Sequence, residues 1–350
     1  MQGMHSATDT GRWSRTDLDY LALVNEWHVV AKSSELSAEK PLARTLLGER
    51  LVLWRAEGVP MAWADNCPHR GAPLSLGKIK GCNIACPYHG WEFDARGRRV
   101  HVPAHPDLSK PTNSGIRQFN VAERYGFVWV CLGEPVRDIP RIPHWDNSAY
   151  RKSFAGPYLF RANALRCVDN FIDASHFPHV HSGINGRPEA PDTTIEYEVS
   201  EVDGELRTSE FSVIQPDADA RGIQLQVRYR YYCLAPTIAY SDKDTGSGEH
   251  WFTWAAVTPV DKDESMFWLV MSFNHAQQIL EEDIQRRQSR IFEDGDRWIV
   301  ESQRPVQLPL GISPEMHVRS DLLGVAYRKW LYRLAKASRT SVAVEVNNQE

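Results

Sequence analysis

The sequence predicts an α+β protein of two domains, a small all-β domain followed by a larger one in which an antiparallel sheet is flanked by helices. Three observations predict it. The 350 residues, 42% of them hydrophobic, suffice for about two cores. Short alternating apolar runs punctuated by Gly and Pro come first, and longer alternating runs mixed with helically spaced segments follow. Between them lies PVRDIPRIPHW (135–145), whose spaced prolines read as a boundary. The expected division is a polar tail over 1–18, a first domain over 19–140, a second over 141–340 and a short tail over 341–350.

Taken in order, ERLVLWRAEGVPMAWADN (49–66) predicts two strands turning about Glu57-Gly58, and RYGFVWVCLG (124–133) predicts another strand. RANALRCVDNFIDASHF (161–177) carries apolar residues at helical spacing. Pro178 disfavours helical geometry at Phe177, which predicts the end of that helix there. IQLQVRYRYYCL, HWFTWAAVTPV and SMFWLVMSFN then alternate as antiparallel strands, and QQILEEDIQRRQSRIFEDGDRWIVESQ reads as a helix.

Composition excludes several function classes. A net charge of −5 and a pI near 6.2 give no footprint for nucleic acid or an anionic membrane. No apolar run reaches the length of a membrane span, and MQGMHSATDTGRWSRTD lacks the apolar core of a signal peptide. Six cysteines without such a leader point to a reducing, cytoplasmic setting, where cysteine more often binds metal or packs as a thiol than forms a disulfide.

CPHRGAPLSLGKIKGCNIACPYHGW (67–91) pairs Cys67-x-His69 with Cys86-x-x-His89. These four could make a tetrahedral zinc site. They could equally hold a [2Fe–2S] cluster with two histidines on one iron, at a potential of about −150 to +300 mV. The surroundings favour the cluster. Each Cys-Pro step launches a loop, Gly71 and Gly90 allow tight turns, and backbone N–H groups in such turns can point at sulfur. Cys82 lacks a histidine three residues on and reads, with Cys131, Cys167 and Cys233, as a free thiol.

CPHRG and CPYHGWEFDARG resemble the Rieske motif of ring-hydroxylating non-haem iron oxygenases. The resemblance runs from about residue 20 to 335 and includes HVPAHPD, ERYGFVWVCLGEP and AYRKWL. The chain is most similar to the α-only monooxygenases, the group of vanillate and dicamba O-demethylases, caffeine N-demethylase and the saxitoxin-pathway hydroxylases. The resemblance implies a Rieske domain followed by a helix-grip, START-like catalytic domain.

DNFIDASHFPHVH (169–181) carries the second constellation. Asn170, Asp173 and His176 recur at i, i+3, i+6 and would line one helical stripe. Beyond Pro178 the chain can swing His181 back to the same point. Two histidines and a carboxylate on one face of an iron leave other positions open for O₂ and substrate. By residue type His179 is as good a ligand as His181, and Glu293, Asp294 and Asp296 are equal candidates for the carboxylate. The resemblance makes the choice. N-x-x-D-x-x-H-x-x-x-x-H implies His176 and His181, and D-R-x-x-x-E-S-Q implies Asp296. Asp173 sits where it can accept a ring N–H from His176. The resemblance implies that Asp173 also bridges to a cluster histidine, here His89, of a neighbouring subunit in a head-to-tail homotrimer. Asn170 belongs to the same motif.

The resemblance further implies a mononuclear Fe(II), O₂ as co-substrate, and electrons supplied one at a time by the cluster for attack on a C–H bond. The outcome would be hydroxylation, or O- or N-demethylation. Neither G-x-G-x-x-G nor a ferredoxin cysteine run is present, so a separate NAD(P)H-dependent reductase, with or without a ferredoxin, is expected as partner. Tyr232, Tyr240, Trp251, Thr253, Met271 and Phe273 are candidate substrate contacts, and their aromatic density suits a flat or cationic substrate. The alternatives are a cis-diol-forming dioxygenase and a non-catalytic Rieske-type electron carrier. The carrier needs the first constellation only.

Overall fold

The computed structural model describes residues 13–187, 189–190, 195–311 and 313–347. The tail expected at the N-terminus lies outside the described residues over 1–12, as do 348–350. Trp13 is not tail: it packs against the main core and sits 6.2 Å from the Tyr20 ring.

The first domain holds three small antiparallel sheets. One is β1 (His28–Lys32), β11 (Phe127–Cys131) and β10 (Asn120–Arg124), in that order. The second is the meander β2 (Leu42–Leu46), β3 (Glu49–Ala56) and β4 (Val59–Ala64). The third is β5 (Lys78–Lys80), β6 (Asn83–Ala85), β7 (Glu92–Asp94), β8 (Arg98–His101) and β9 (Thr112–Asn113). The β3–β4 hairpin turns on Glu57 and Gly58 at φ 51° and 83°, the geometry a two-residue loop needs to match strand twist. Tyr125 and Gly126, at φ 60° and 75°, make a second such turn, so RYGFVWVCLG is a hairpin end plus one strand. β3 serves two cores by alternation. Leu51 and Leu53 enter the main core, while Val52 and Trp54 pack with Trp63, Cys67, Cys86 and Phe93. The loops bearing the Cys/His pairs therefore stand on a rigid aromatic floor.

The second domain is built on an eight-stranded antiparallel sheet. Its strands are β12 (Arg151–Phe160), β13 (Val199–Val202), β14 (Glu205–Thr208), β15 (Phe211–Gln215), β16 (Leu225–Ala235), β17 (Ile238–Gly246), β18 (Glu249–Asp261) and β19 (Glu264–Phe273). The order is β12-β19-β18-β17-β16-β14-β13, with β15 also paired to β16. Period-two alternation splits its faces. Tyr229, Tyr231, Trp251, Ala255, Leu269 and Met271 face the main core beneath the helices. Tyr240, Phe252, Trp254, Trp268 and Val270 face the other way, where Phe127 and Trp129 of the first domain meet them. The Trp129–Trp254 and Phe127–Trp268 rings lie 6.1 and 5.8 Å apart, contacts worth about 0.5–1.5 kcal/mol each beyond burial. The two domains thus share one aromatic seam.

The helices are α1 (Leu18–Leu23), α2 (Ala164–Phe171), α3 (Phe177–Val180), α4 (Glu281–Ser289), α5 (Arg297–Ser302) and α6 (Leu322–Asn347). Four expectations change. The helix expected to run to Phe177 stops at Phe171, because the Asp173 carboxylate accepts the N–H groups of Ser175 at 2.8 Å and His176 at 3.3 Å and so favours a turn. Pro178 then sits in the first turn of α3, where no donor is needed, and starts a helix instead of ending one. The helix expected over 277–303 is interrupted by a π-helical segment, Arg290–Asp296, between α4 and α5. The C-terminal tail expected from 341 continues α6 as far as Asn347. β12 and β17 escaped notice, β12 because Gly156-Pro157 breaks its alternation at a register shift. No described helix is long and apolar enough to cross a membrane.

Candidate metal centres and active site

The two Cys/His loops are the same device used twice. Cys67 N–H donates to the Ala72 carbonyl at 2.8 Å, and its own carbonyl accepts from Gly71 at 2.7 Å. Cys86 N–H donates to the Trp91 carbonyl at 2.8 Å, and its carbonyl accepts from Gly90 at 3.1 Å. Gly71 and Gly90 take matching positive φ of 70° and 69°, which a side chain would strain. Both cysteines are buried, whereas His69 and His89 are exposed with ring centroids 4.6 Å apart. His69 stacks on Trp91 at 4.3 Å, which fixes its ring. Burial raises the Cys67 thiol to about 11, helped by the adjacent Cys86 sulfur and opposed by the His69 and Arg70 N–H groups that point at it.

A single zinc would draw all four ligand atoms onto one point. Among the described residues only two groups of three donors converge within 4.8 Å, and neither includes these cysteines or histidines. Two sulfurs on the inside and two imidazoles at the tip instead fit a two-iron cluster. Cys82 is exposed and donates to Glu57, while Cys131, Cys167 and Cys233 are buried elsewhere.

The second centre is assembled from distant segments. The turn after α2 presents His176, the end of α3 presents His181, and the π-helical segment presents Asp296. The Nε2 atoms of His176 and His181 lie 3.4 and 3.0 Å from the same Asp296 Oδ1. His181 and Asp296 are each 3% exposed. His176 Nδ1 meets Asp173 Oδ2 at 3.0 Å, which orients the ring. Burial works against charge on His176, Asp173 and Asp296 but loses. Hydrogen bonds to Asp173 and Asp296 raise His176 to about 9, and those same bonds hold both carboxylates below their usual range. His179 is exposed on α3, Asp294 is exposed, and Glu293 pairs with Arg297 at 3.5 Å, so none joins the group. Gly295 is a residue the sequence reading missed. A Cβ there would lie 2.7 Å from His181 Cε1, so only glycine lets the ring seat against the helix.

Two imidazole nitrogens and one carboxylate oxygen on a single buried point, open on one side to a cavity, is a donor set suited to non-haem iron. The other convergent group, Asp219, Glu249 and His275, already holds a cation: Arg221 reaches Asp219 at 2.5 Å and Glu249 at 2.9 Å.

A cavity open on one side lies beside His176, His181 and Asp296, with about 470 Å³ of non-atom space when its solvent-filled mouth is included. Asn170, Phe171, Tyr229, Tyr231, Thr253 and Phe292 are among the residues that line it. Of the substrate contacts expected from sequence, Thr253 alone lines it. Tyr232 and Tyr240 stack on each other at 4.4 Å on the opposite face of the sheet, since one residue along a strand reverses the side. Tyr231 and Ser241, their neighbours in sequence, face inward instead. Met271 and Phe273 are fully buried in the core, and Trp251 stacks on Phe273 at 4.3 Å behind the wall.

Comparison with known proteins identifies the two domains that carry these centres. Residues 26–119 match the Rieske [2Fe-2S] domain, and residues 160–337 match the vanillate O-demethylase oxygenase C-terminal domain. Methylxanthine N3-demethylase NdmB of Pseudomonas putida is 30% identical, over 93% of this chain and 95% of that protein. The oxygenase component of dicamba O-demethylase from Stenotrophomonas maltophilia is 40% identical over 52% of this chain and 54% of that one. The structure of Pseudomonas putida NdmA with caffeine superposes with a TM-score of 0.82 at 28% identity, covering 93% of this chain and 94% of that chain. With a Rieske domain on one side of its aromatic seam and a vanillate-demethylase-type catalytic domain on the other, the chain belongs to the Rieske non-haem iron oxygenases, in the branch that includes the N- and O-demethylases.

Proposed function

We propose that the chain is the terminal oxygenase of a multicomponent monooxygenase that removes a methyl group from oxygen or nitrogen of a small aromatic substrate. The observation that carries this reading is the convergence of His176, His181 and Asp296 on one point at the wall of an aromatic cavity. In this reading these three hold the iron, and Cys67, Cys86, His69 and His89 hold the cluster. When bound, the iron supplies O₂ activation and the cluster supplies single electrons. The chain's own residues do the rest. Asp173 accepts a hydrogen bond from Nδ1–H of His176 and so fixes which nitrogen faces the metal position. Phe171, Tyr231 and Phe292 give the cavity an aromatic side against which the substrate ring packs. Oxidation of a methyl carbon on O or N gives an unstable hemiacetal or hemiaminal that releases formaldehyde. Electrons come from a separate NAD(P)H-dependent reductase, directly or through a ferredoxin, and the working unit is a homotrimer. The test is formaldehyde release, coupled to O₂ uptake, from a panel of methoxy- and N-methyl-arenes with a surrogate reductase. O₂ uptake with cis-diol products would favour the dioxygenase alternative, and no uptake at all with both metals loaded would leave an electron carrier.

Two outcomes follow for the metals. Cys67→Ser and Cys86→Ser are expected to abolish the visible spectrum of the cluster, while Cys82→Ser leaves it intact; an essential Cys82 beside a dispensable Cys86 would overturn the ligand assignment. Gly295→Ala is expected to push the His181 ring off its seat and lower mononuclear iron content about 10–100-fold in affinity, as loss of a positioning contact does. Its cluster spectrum should be unchanged, and full iron loading at limiting Fe(II) would contradict the argument.

A further inference from the structure

The same cavity contains a charge that the metal sites do not explain. Lys243 lies on β17, two residues beyond Ser241 and on the same face, so its Cα is about 7 Å further along the cavity wall. Its Nζ is buried and donates to the Gln215 side-chain oxygen at 3.3 Å and to the Ala218 carbonyl. It also lies 5.9 and 5.8 Å from the ring centres of Tyr229 and Trp251. An ammonium has three donors, and those two neutral oxygens take two of them. Among the described residues no carboxylate comes within ion-pair distance of Nζ. The nearby acids have other partners: Asp219 is held by Arg221 at 2.5 Å and meets His275 Nε2 at 3.0 Å, and Asp217 is held by Arg287 at 3.4 Å.

Arg287 lines the cavity too. It donates to the Asp217 carbonyl at 2.7 Å and to the Asn185 side-chain oxygen at 3.2 Å. It precedes Asp296 by nine residues, with the π-helical segment between them. Lys243 and Arg287 therefore share the lining of one cavity with His176, His181 and Asp296. Burial and then Arg287 pull the Lys243 ammonium down to about 7, while Asp219 and Asp217 oppose them. An added anion beside Nζ would relieve that conflict.

We propose that Lys243, seconded by Arg287, is a specificity-determining residue that binds an oxyanion of the substrate, so that this enzyme takes small aromatic acids, carboxylates or sulfonates, with the methylated atom at the far end of the ring. This rests on the oxygenase reading above and narrows its substrate class. It keeps the expected flat substrate but replaces the cationic one, which rested on the aromatic density of Tyr232, Tyr240, Trp251 and Phe273, none of which lines the cavity.

The test uses the iron-loaded, oxidised enzyme without reductase and measures binding by calorimetry. The probes are 3- and 4-methoxybenzoate against the corresponding methoxybenzamides, which match them in shape and lack the charge. The acids are expected to bind about tenfold or more tightly than the amides, as a buried charge-assisted hydrogen bond implies. Lys243→Met and Lys243→Gln should bring the ratio to within about twofold of unity, a change that a lysine merely pinning the Gln215–Ala218 turn would not produce. The comparison within the wild-type protein stands even if one variant folds poorly. Equal affinity for acid and amide, binding of neither acid, or a preference that survives both substitutions overturns the proposal. Formaldehyde release with reductase is read separately. Turnover of neutral probes without acid preference removes the anion site and leaves the oxygenase, whereas acid preference without turnover of any probe does the reverse.

Discussion

Replacing His181 or Asp296 with alanine is expected to abolish product formation and mononuclear iron binding while leaving the cluster spectrum as in the unaltered protein. The reason is the geometry of a three-donor site. Each side chain is one of only three protein donors at an open position, and each is almost fully buried. Asp296 receives both imidazole nitrogens on one oxygen, so its removal leaves the buried His181 ring and the half-buried His176 ring without their common partner. Leaving such polar groups unpaired costs about 1–3 kcal/mol, small enough for the domain to remain folded on its sheet. The cluster loops belong to a different core, built from Val52, Trp54 and Trp63, and have no contact with this loss. His179→Ala is the matched control, since His179 is exposed beside the site. Iron analysis and formaldehyde release check the pair. Loss in His179→Ala with normal behaviour in His181→Ala would reverse the ligand assignment.

Asp173→Asn is expected to keep the fold, both metals and the oligomeric state, yet lose most product formation, on the order of 10–100-fold. Asp173 does two things. Its Oδ1 and Oδ2 atoms shape the turn that ends α2, and Oδ2 also accepts the Nδ1 proton of His176. Its side chain remains about one-third exposed, which leaves it a face toward solvent. His69 and His89 are exposed at the tip of the first domain. In the proposed trimer that exposed face meets His89 of a neighbouring subunit, and a heterologous interface of this kind must close into a ring. Asparagine keeps the shape and one acceptor but removes the charge that both histidines would share. Single-turnover kinetics separate this from a structural defect: with the cluster reduced and substrate and O₂ added, cluster reoxidation should slow while iron content stays constant. Reoxidation at the unaltered rate with normal product yield, or a monomer that turns over normally at high dilution, would eliminate the bridge.

The proposed metal centres are the most legible part of the sequence because their candidate ligands come from short segments with rigid spacing. CPHRG and CPYHG each contain the cysteine, the histidine and the turning glycine of one loop, so local chemistry states the whole device. DNFIDASHFPHVH states two of three donors in the same way. Asp296 could not be separated from Glu293 and Asp294 by spacing, since the choice depends on a π-helical segment that shifts which side chain faces inward. The helix boundary after Phe171 was misread because a side-chain carboxylate competed with helical hydrogen bonds, an effect periodicity does not register. The substrate wall was the least legible. Tyr229, Tyr231, Tyr232 and Tyr240 are chemically alike, and only strand register decides which face the cavity. Lys243 was overlooked for a related reason: within SDKDTG it reads as a solvated charge, although β17 carries it into the interior.

The central claim, that this chain holds a two-iron cluster and a separate catalytic iron, is tested most directly by anomalous diffraction at the iron edge from crystals of the protein purified with its metals. The account predicts about three iron positions per chain. Two lie between the Cys67/Cys86 and His69/His89 pairs, and one lies among His176, His181 and Asp296. An iron at Asp219, Glu249 and His275, or no peak among His176, His181 and Asp296 in fully loaded, active protein, would contradict it.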